Sequence, residues 1–364
     1  MEKSCNLPEY PCTRDVWDVL KSESRPIVVY GMGNGADKLF RRFEKYGIHV
    51  SDVFASDGFV RGHSYRGFKV KSFSEIKATY PDFVIVLSFA SNRRDVVEML
   101  ADIDSNYEMY VPDMPVADED EYFDREFYNA NYEKILSVYG MLADGLSRHI
   151  YASVINYRLS GKLSYLLTSY SEKEEMYSLL LRKNVRVAID AGAYNGDTAS
   201  EAIKYFPSVE KIYALEPDPK NYKRLLRFAQ GEGRVMPINA AAWCESAEGS
   251  FIGSGNRNSS VSSTASYQHT KSAVSLLRID DVTDDEIDYI KYDVEGAELE
   301  AIVGSSGIIK KFHPAMLVSL YHRSRDIFFL PDYLCGKYAG YDMYLRRMYS
   351  VPAWEIDLLM IPRT

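Results

Sequence analysis

The sequence predicts an α/β protein with two parallel sheets and a helical connector between them. Apolar, strand-like runs alternate with helical patterns over residues 1–117 and again over residues 184–364, whereas residues 118–183 show helical periodicity alone. Parallel strands need long crossover connections, so this alternation is typical of parallel sheets. A length of 364 residues also favours two domains, because single cores usually stop growing at roughly 250–300 residues.

The composition, 46% hydrophobic and 26% charged residues, is that of a globular protein. A formal charge of −9 argues against nucleic-acid partners, since phosphate binding depends on lysine and arginine. The four cysteines show no CxxC spacing, so neither a zinc site nor a disulfide framework is expected. There is no signal-peptide pattern and no apolar run of about 18 residues, so we expect a cytoplasmic protein without a membrane span.

The first part begins with a strand over residues 26–30, a turn rich in glycine over residues 31–35 and a helix over residues 36–46. This order is Rossmann-like. Further strands are predicted at residues 49–55 and 83–88, with a helix around residues 72–78. The turn has Ala36 where a third glycine often stands, and Asp57 follows the second strand. Two interpretations stay open: this part binds a nucleotide, with Asp57 on a ribose, or it is purely structural.

In the connector, one apolar helical face is predicted from six residues: Tyr139, Leu142, Leu146, Ile150, Val154 and Leu159. Beyond it, seven strands are predicted, at residues 185–190, 211–216, 234–239, 289–293, 315–321, 341–346 and 355–361. Residues 253–266 are rich in serine, glycine and asparagine, which predicts a mobile surface loop. The wider segment 251–270 either closes over a substrate or is a tolerated insertion.

The first motif of the second part is a turn that runs from Asp190 to Asp197 after an apolar strand. Gly192 can adopt positive φ and Gly196 can pack against the start of the next helix, so backbone can approach a ligand closely. An amino-acid or nucleoside moiety can lie across such a turn, with an ammonium group paired to Asp190 or Asp197. By itself the turn fits several nucleotide-binding folds.

The ends of the next strands add further candidates. Glu216 ends the second strand about twenty residues after the glycines, where a carboxylate can bind both ribose hydroxyls. The third strand ends at Asn239 and continues into Ala240, Ala241 and Trp243, which offer a backbone contact and an apolar surface for adenine, although Trp243 is as readily a core residue. The fourth strand ends in an acidic cluster that contains Asp293 and Glu295.

Together, the motifs at residues 190–197, 214–217 and 290–298 resemble the FkbM family of methyltransferases, over roughly residues 184–364. The resemblance implies a seven-stranded Rossmann-like methyltransferase domain, S-adenosyl-L-methionine as methyl donor and a hydroxyl acceptor, often on a sugar or polyketide. The resemblance also implies that Asp190, Gly192, Gly196 and Glu216 contact the cofactor. Many members end the fifth strand with a glutamate, where this chain has Tyr321 and His322. The full predicted cofactor set is Asp190, Gly192, Ala193, Tyr194, Gly196, Asp197, Glu216, Pro217, Asn239, Ala240 and Ala241.

Methyl transfer to an alcohol needs alignment and a base, for which Asp293, Glu295 and His322 are the candidates. His322 ranks first because its ordinary pKa is nearest neutrality, although a structural role for it stays open. The same three side chains are also of the types that hold a divalent cation, but no compact ligand motif predicts one, so metal dependence stays open. The favoured activity is O-methylation of a sugar or glycan precursor in polysaccharide biosynthesis. Two alternatives are a nicotinamide-dependent oxidoreductase and a non-catalytic nucleotide-sugar-binding module. The acceptor's identity and the oligomeric state are not predicted.

Overall fold

Two parallel or mostly parallel sheets carry the chain's architecture in a computed structural model, which describes residues 5–60, 62–117, 121–252, 260–262 and 271–363. The helices are α1 Val16–Lys21, α2 Asn34–Tyr46, α3 Phe73–Thr79, α4 Arg94–Asn106, α5 Arg125–Met141, α6 Gly145–Ser160, α7 Ser164–Leu167, α8 Lys173–Leu180, α9 Asp197–Tyr205, α10 Pro219–Gly231, α11 Glu298–Val303, α12 Ser306–Phe312 and α13 Asp326–Lys337.

The strands are β1 Ile27–Tyr30, β2 Asp52–Ala55, β3 Ser64–Tyr65, β4 Phe68–Lys69, β5 Lys71–Ser72, β6 Val84–Leu87, β7 Met109–Tyr110, β8 Val187–Ala191, β9 Lys211–Leu215, β10 Val235–Ile238, β11 Ala241–Trp243, β12 Ala247–Ile252, β13 Ser260–Ser262, β14 Lys271–Arg278, β15 Tyr289–Tyr292, β16 Ala315–Ser319, β17 Tyr341–Arg347 and β18 Ile356–Pro362. The predicted mixed α/β fold with parallel sheets is confirmed.

The first sheet has the strand order β5-β2-β1-β6-β7 and is parallel throughout. Its central strands β1, β2 and β6 are fully buried, as their apolar runs predict. Gly35, in the first turn of α2, lies so close to β6 that a Cβ there would be 2.1 Å from the Ser88 carbonyl oxygen. Glycine is therefore needed here for helix–strand packing. The sequence prediction omitted α4 and β7.

The second sheet has the order β10-β9-β8-β15-β16-β18-β17. Its strands are parallel except β18, which runs antiparallel to both of its neighbours, β16 and β17. The carboxyl ends of β8, β9 and β15 therefore lie at one edge of the sheet. The register pairs Lys291 with Asp190 on one side and with Leu317 on the other, so these side chains share a face.

The connector differs from the single apolar face that its periodicity predicts, because the chain breaks between α5 and α6. Asp144 caps α6 by accepting a hydrogen bond from the Ser147 amide at 2.7 Å. At the break, the Ala143 amide donates to the Met343 carbonyl at 2.8 Å, which ties the connector to β17. Four helices, α5 to α8, result within the described part of this region.

A small sheet of order β11-β14-β12-β13, which the sequence did not predict, flanks the predicted loop on both sides and takes one strand from it. The loop prediction was wrong for residues 260–262, which form β13. The remainder of the predicted loop and lid, residues 253–259 and 263–270, lies outside the described residues. None of the helices in the described ranges has the length and apolar character that crossing a bilayer requires.

Candidate active site

A cavity of about 400 Å³ opens where the carboxyl ends of β8, β9 and β15 meet. Its floor is formed by the ends of these strands and by β18, and one wall comes from the start of α8 in the connector. Asn92, between β6 and α4, also lines the cavity. Ligands of open α/β sheets bind at such strand ends. The cavity is therefore the candidate active site.

The glycine turn after β8 is held against both neighbouring strands. Gly192 has φ +92°, and a Cβ at this position would lie 1.8 Å from the Asp293 carbonyl oxygen. The amides of Gly192 and Ala193 donate to the Leu215 carbonyl at 3.0 and 2.9 Å. Gly196 has φ +96°, with the Phe228 ring where a side chain would stand. Neither position can accommodate a side chain, so both must be glycine, as the sequence predicts.

The predicted residues of this turn occupy different depths. Gly192, Tyr194 and Asp197 line the cavity, whereas Ala193 is fully buried beneath it. Asp190 is 4% exposed and does not line the cavity. Its Oδ2 accepts a hydrogen bond from Thr198 Oγ1 at 2.5 Å, and its Oδ1 has no hydrogen-bond partner. Burial raises the pKa of this carboxyl, and the Lys291 charge opposes that rise.

Glu216, at the end of β9, lines the cavity although it is only 6% exposed. Its Oε1 accepts a hydrogen bond from the Asp218 amide at 2.7 Å. Burial raises the pKa of Glu216 to about 7, while the Asp218 and Tyr194 amides act in the opposite direction. Pro217 lines the cavity beside it. The structure thus presents a buried carboxyl group next to the glycine turn.

Three residues after β10 were predicted to contact the cofactor, and they differ in whether they line the cavity. Ala241 lines the cavity, but Asn239 and Ala240 do not. The Asn239 Nδ2 donates to the carbonyls of Glu216 and Pro217, at 2.8 and 3.3 Å. Its side chain therefore shapes the end of β9, and the cofactor contacts of Asn239 and Ala240 stay a prediction.

Asp293 and Glu295 line the cavity at the end of β15, as predicted. Asp293 Oδ2 accepts a hydrogen bond from Lys291 Nζ at 2.8 Å, and its Oδ1 accepts one from the Tyr321 hydroxyl at 3.3 Å. Despite burial, the charges of Lys291 and His322 lower the pKa of Asp293 to about 2. Asp293 is thus a persistent anion and a weak base.

His322 is fully buried and does not line the cavity. Its Nδ1 hydrogen-bonds with Glu298 Oε1 at 2.9 Å, and its Nε2 lies 3.5 Å from Asp293 Oδ1 and 3.4 Å from Glu295 Oε2. Against the effect of burial, these carboxylates raise the pKa of His322 to about 10. A buried cation cannot take a proton from an acceptor near neutral pH, so the prediction of His322 as the base is corrected.

Sequence analysis missed several groups that the fold brings to the cavity. Asp357, on β18, is 7% exposed, lines the cavity and accepts a hydrogen bond from Ser319 Oγ at 3.3 Å. Burial and the nearby carboxylates of Glu355 and Asp293 raise its pKa to about 8. The one sequence feature that could have pointed to Asp357 is that it is the only carboxyl residue in the otherwise apolar run Ile356–Ile361. Connector residues of α8, such as Lys173, carried no motif at all.

A second cavity, of about 250 Å³, lies at the glycine turn that precedes α2. It is lined by Gly33 at the end of that turn, by Gly35 in the first turn of α2, and by Pro352 and Trp354 from the loop between β17 and β18. Asp57, predicted to bind a ribose, is exposed and does not line this cavity. Within the described residues, no cluster of three or more histidine, cysteine or acidic side chains has a geometry suited to a metal ion.

Comparisons with known proteins agree on the second part of the chain. Residues 190–343 match the family described as the methyltransferase FkbM domain. The crystal structure of methyltransferase FkbM from Methylobacillus flagellatus KT is similar with a TM-score of 0.72 at 19% identity, covering 99% of this chain and 95% of that chain. At this identity the likeness shows the fold alone.

Two further structures are much less similar. An rRNA methylase from Streptococcus thermophilus has a TM-score of 0.34 at 12% identity, covering 52% of this chain and 95% of its own. A precorrin-6y C5,15-methyltransferase from Geobacter metallireducens GS-15 has a TM-score of 0.33 at 12% identity, covering 52% and 86%. TM-scores this low carry no argument about this chain. No curated protein sequence matches it.

Proposed function

Because residues 190–343 of this chain are a methyltransferase FkbM domain, we propose that the protein transfers a methyl group from S-adenosylmethionine to a hydroxyl of a sugar or glycan precursor. The observation that carries the cofactor assignment is the buried Glu216 carboxyl beside a turn where Gly192 admits no side chain. A carboxyl group in this position suits the two ribose hydroxyls.

The polar groups that line the cavity suit the chemistry of S-adenosylmethionine. S-adenosylmethionine carries a sulfonium and an ammonium group against one carboxylate, so it has a net positive charge, and its sulfonium supplies an electrophilic methyl group. Asp197 and Glu216 line the cavity as carboxyl groups, and the bare turn at Gly192 lets backbone amides approach a ligand. Asp190 lies beneath the turn and supports it through Thr198. We assign the ribose to Glu216 and the ammonium end to the Asp197 side of the turn.

Removal of the acceptor proton is assigned to Asp357. It lines the cavity, and its pKa of about 8 is close to the working pH that suits a general base. Asp293, held as an anion by Lys291, orients the acceptor hydroxyl. His322, out of reach of the cavity, fixes the carboxylates of Glu295 and Glu298 and is a positioning residue.

The substitution Asp357→Asn tests this assignment. It removes the proton acceptor and keeps the shape, so turnover should fall by roughly 10²–10⁴-fold, while cofactor affinity measured by calorimetry stays at the parental value. The parent rate should rise as the pH increases through about 8, and the variant should lose this rise. The control Asp342→Asn alters a half-exposed partner of Arg363 that does not line the cavity. A variant with parental rate and pH profile would refute the role of Asp357.

The activity itself is tested with radiolabelled S-adenosylmethionine and a panel of sugars and capsule or lipopolysaccharide oligosaccharides. Transfer of label to a hydroxyl is expected. Binding of NAD(H) in place of S-adenosylmethionine would instead favour an oxidoreductase. The position of Asp57 outside the second cavity gives that alternative no support.

A further inference from the structure

We infer that the acceptor is a polyol without phosphate, a free or glycosidically linked sugar, and that the site rejects sugar phosphates and nucleotide-linked sugars. This inference rests on the proposed function and concerns the charge of the same cavity. It follows from the side chains that surround the space left beside the proposed cofactor turn.

Carboxyl groups dominate this space. Apart from the residues near the cofactor turn, the cavity is lined by six of them: Glu172, Glu201, Asp293, Glu295, Glu355 and Asp357. They come from the connector, α9, and the ends of β15 and β17–β18, so they surround the space on several sides. Asp357 is mostly protonated near neutral pH, since its pKa is about 8, but the other five groups are carboxylates. An anion that enters this space therefore meets like charges, which repel it.

The basic side chains that line the cavity are paired with carboxylates. Among the described lining residues, the only basic side chains are Lys173 and Lys291. Lys173 Nζ is hydrogen-bonded to Glu201 Oε1, and Lys291 Nζ donates to Asp293 Oδ2 at 2.8 Å. The described lining includes no arginine, although arginine is the usual bidentate ligand for phosphate. A phosphate placed here would meet carboxylates and already paired ammonium groups.

One arginine that contacts lining residues is Arg94, which does not itself line the cavity. Its guanidinium lies 3.5 Å from Glu172 Oε1 and 5.2 Å from the centre of the Tyr349 ring. Both of those residues line the cavity. Arg94 is therefore already paired with a carboxylate.

The remaining lining suits an uncharged polyol. Tyr177, Tyr321 and Tyr349 contribute rings to the wall, and each tyrosine joins an apolar face to a polar hydroxyl. Carboxylates such as those of Glu172 and Glu355 accept hydrogen bonds and have none to donate. Sugar hydroxyls are donors, so they match such a wall, whereas phosphate oxygens are acceptors and do not.

The test uses matched ligands and the full chain loaded with S-adenosylhomocysteine. Each of several hexoses is supplied as its methyl glycoside, its 1-phosphate and its 2-amino derivative, and binding is followed by saturation-transfer NMR and calorimetry. The glycoside and the amino sugar should bind, and the phosphate should bind weaker by on the order of 100-fold, since like charges brought together are strongly disfavoured. Raising the salt concentration should narrow this gap.

Binding of the phosphate as tightly as the glycoside, or more tightly, would overturn the inference whether or not a methyl group is transferred. A separate assay with labelled S-adenosylmethionine decides the proposed function. If the cofactor binds and no sugar is methylated, the proposed acceptor chemistry fails, while the binding data still decide the charge preference.

A charge-inverting variant adds a second readout. Glu172→Lys should improve phosphate binding relative to glycoside binding by about tenfold. The matched control Glu174→Lys makes the same charge change two residues away, on an exposed side chain that does not line the cavity. An equal shift in both variants would mean that overall charge, and not the cavity wall, sets the preference, and would count against the inference.

Discussion

At the scale of single residues, two aspartates of the same cavity acquire opposite acid strengths. Lys291 and His322 hold the pKa of Asp293 at about 2, whereas burial and neighbouring carboxylates raise that of Asp357 to about 8. The cause is position, because Asp293 directly accepts the Lys291 hydrogen bond and Asp357 does not. Environments that separate two pKa values in this way allow one group to stay charged and the other to exchange protons.

The cofactor assignment leads to a prediction for Glu216. Glu216→Gln should weaken S-adenosylmethionine binding roughly 10–100-fold, because a hydrogen bond to a charged group contributes about 1.5–3 kcal/mol. Because the pKa of Glu216 is about 7 in the free protein, parental affinity should also fall as the pH drops below that value. Calorimetry over a pH series measures both effects.

The control for this prediction is Glu210→Gln, which alters an exposed partner of Arg186 just before β9. It should leave cofactor affinity unchanged. If Glu216→Gln also bound like the parent, the end of β9 would not be the ribose site.

At the scale of elements, the connector is fastened to the second sheet through β17. Arg346 Nη2 lies 2.7 Å from Asp144 Oδ2 at the start of α6 and also bonds Glu175 in α8. Arg347 is fully buried; its Nε donates to the Ser169 carbonyl at 2.8 Å and its Nη1 to that of Ser350 at 2.9 Å. These bonds fix the segment that supplies the α8 wall of the cavity.

The role of Arg347 is testable by stability. Arg347→Met preserves length but leaves buried carbonyls without donors, so the free energy of unfolding should fall by about 2–4 kcal/mol. Chemical denaturation gives the value. Arg363→Met, at an exposed ion pair with Asp342, should change it by no more than about 0.5 kcal/mol. Equal losses in the two variants would show that the buried bonds add nothing.

At the scale of the whole molecule, the first sheet contacts the site that the second sheet builds. Ser91 and Val351 exchange backbone hydrogen bonds at 2.7 and 2.9 Å, and Asn92 lines the cavity. Farther along, the Ala117 amide donates to the His322 carbonyl at 2.8 Å. The first part of the chain thus contributes to the candidate active site. The division into parts at residues 117 and 183 remains a prediction.

Several buried groups bind protons more tightly in the folded state, which predicts how stability depends on pH. Folding raises the pKa of His322 from 6.5 to about 10, that of Asp357 to about 8 and that of Asp326 to about 7. A raised pKa stabilises the fold fully below the unfolded value, and the effect is lost as the pH rises through the folded value. The melting temperature of the cofactor-free protein should therefore fall from about pH 6 to about pH 9.

His322→Gln provides the comparison for this profile, since it removes the group that titrates over the widest part of the range. Its melting temperature should be lower than the parent's at pH 6 and should change less with pH. His63→Gln, an exposed histidine outside the site, should keep the parental profile. A parental melting temperature that does not fall over this range would contradict the assigned proton uptake.

The sequence by itself determined the α/β class, the glycine turn at Asp190–Asp197 and the carboxylates at the ends of β9 and β15, because these depend on local patterns: apolar runs, glycine and the residue that follows each strand. Tertiary structure alone decided which of them reach the cavity. His322 lies next to the acidic cluster, yet burial among three carboxylates makes it a cation away from the cavity.

Asp357 shows the converse. It is one carboxyl within an apolar strand, and only the antiparallel pairing of β18 with β16, opposite Ser319, brings it to the cavity. The connector and Asn92 likewise carry no motif for a site, but they line it through contacts between residues that are far apart in the sequence. A local pattern fixes a strand and its last residue, whereas the acidity and accessibility of that residue depend on neighbours supplied by the whole fold.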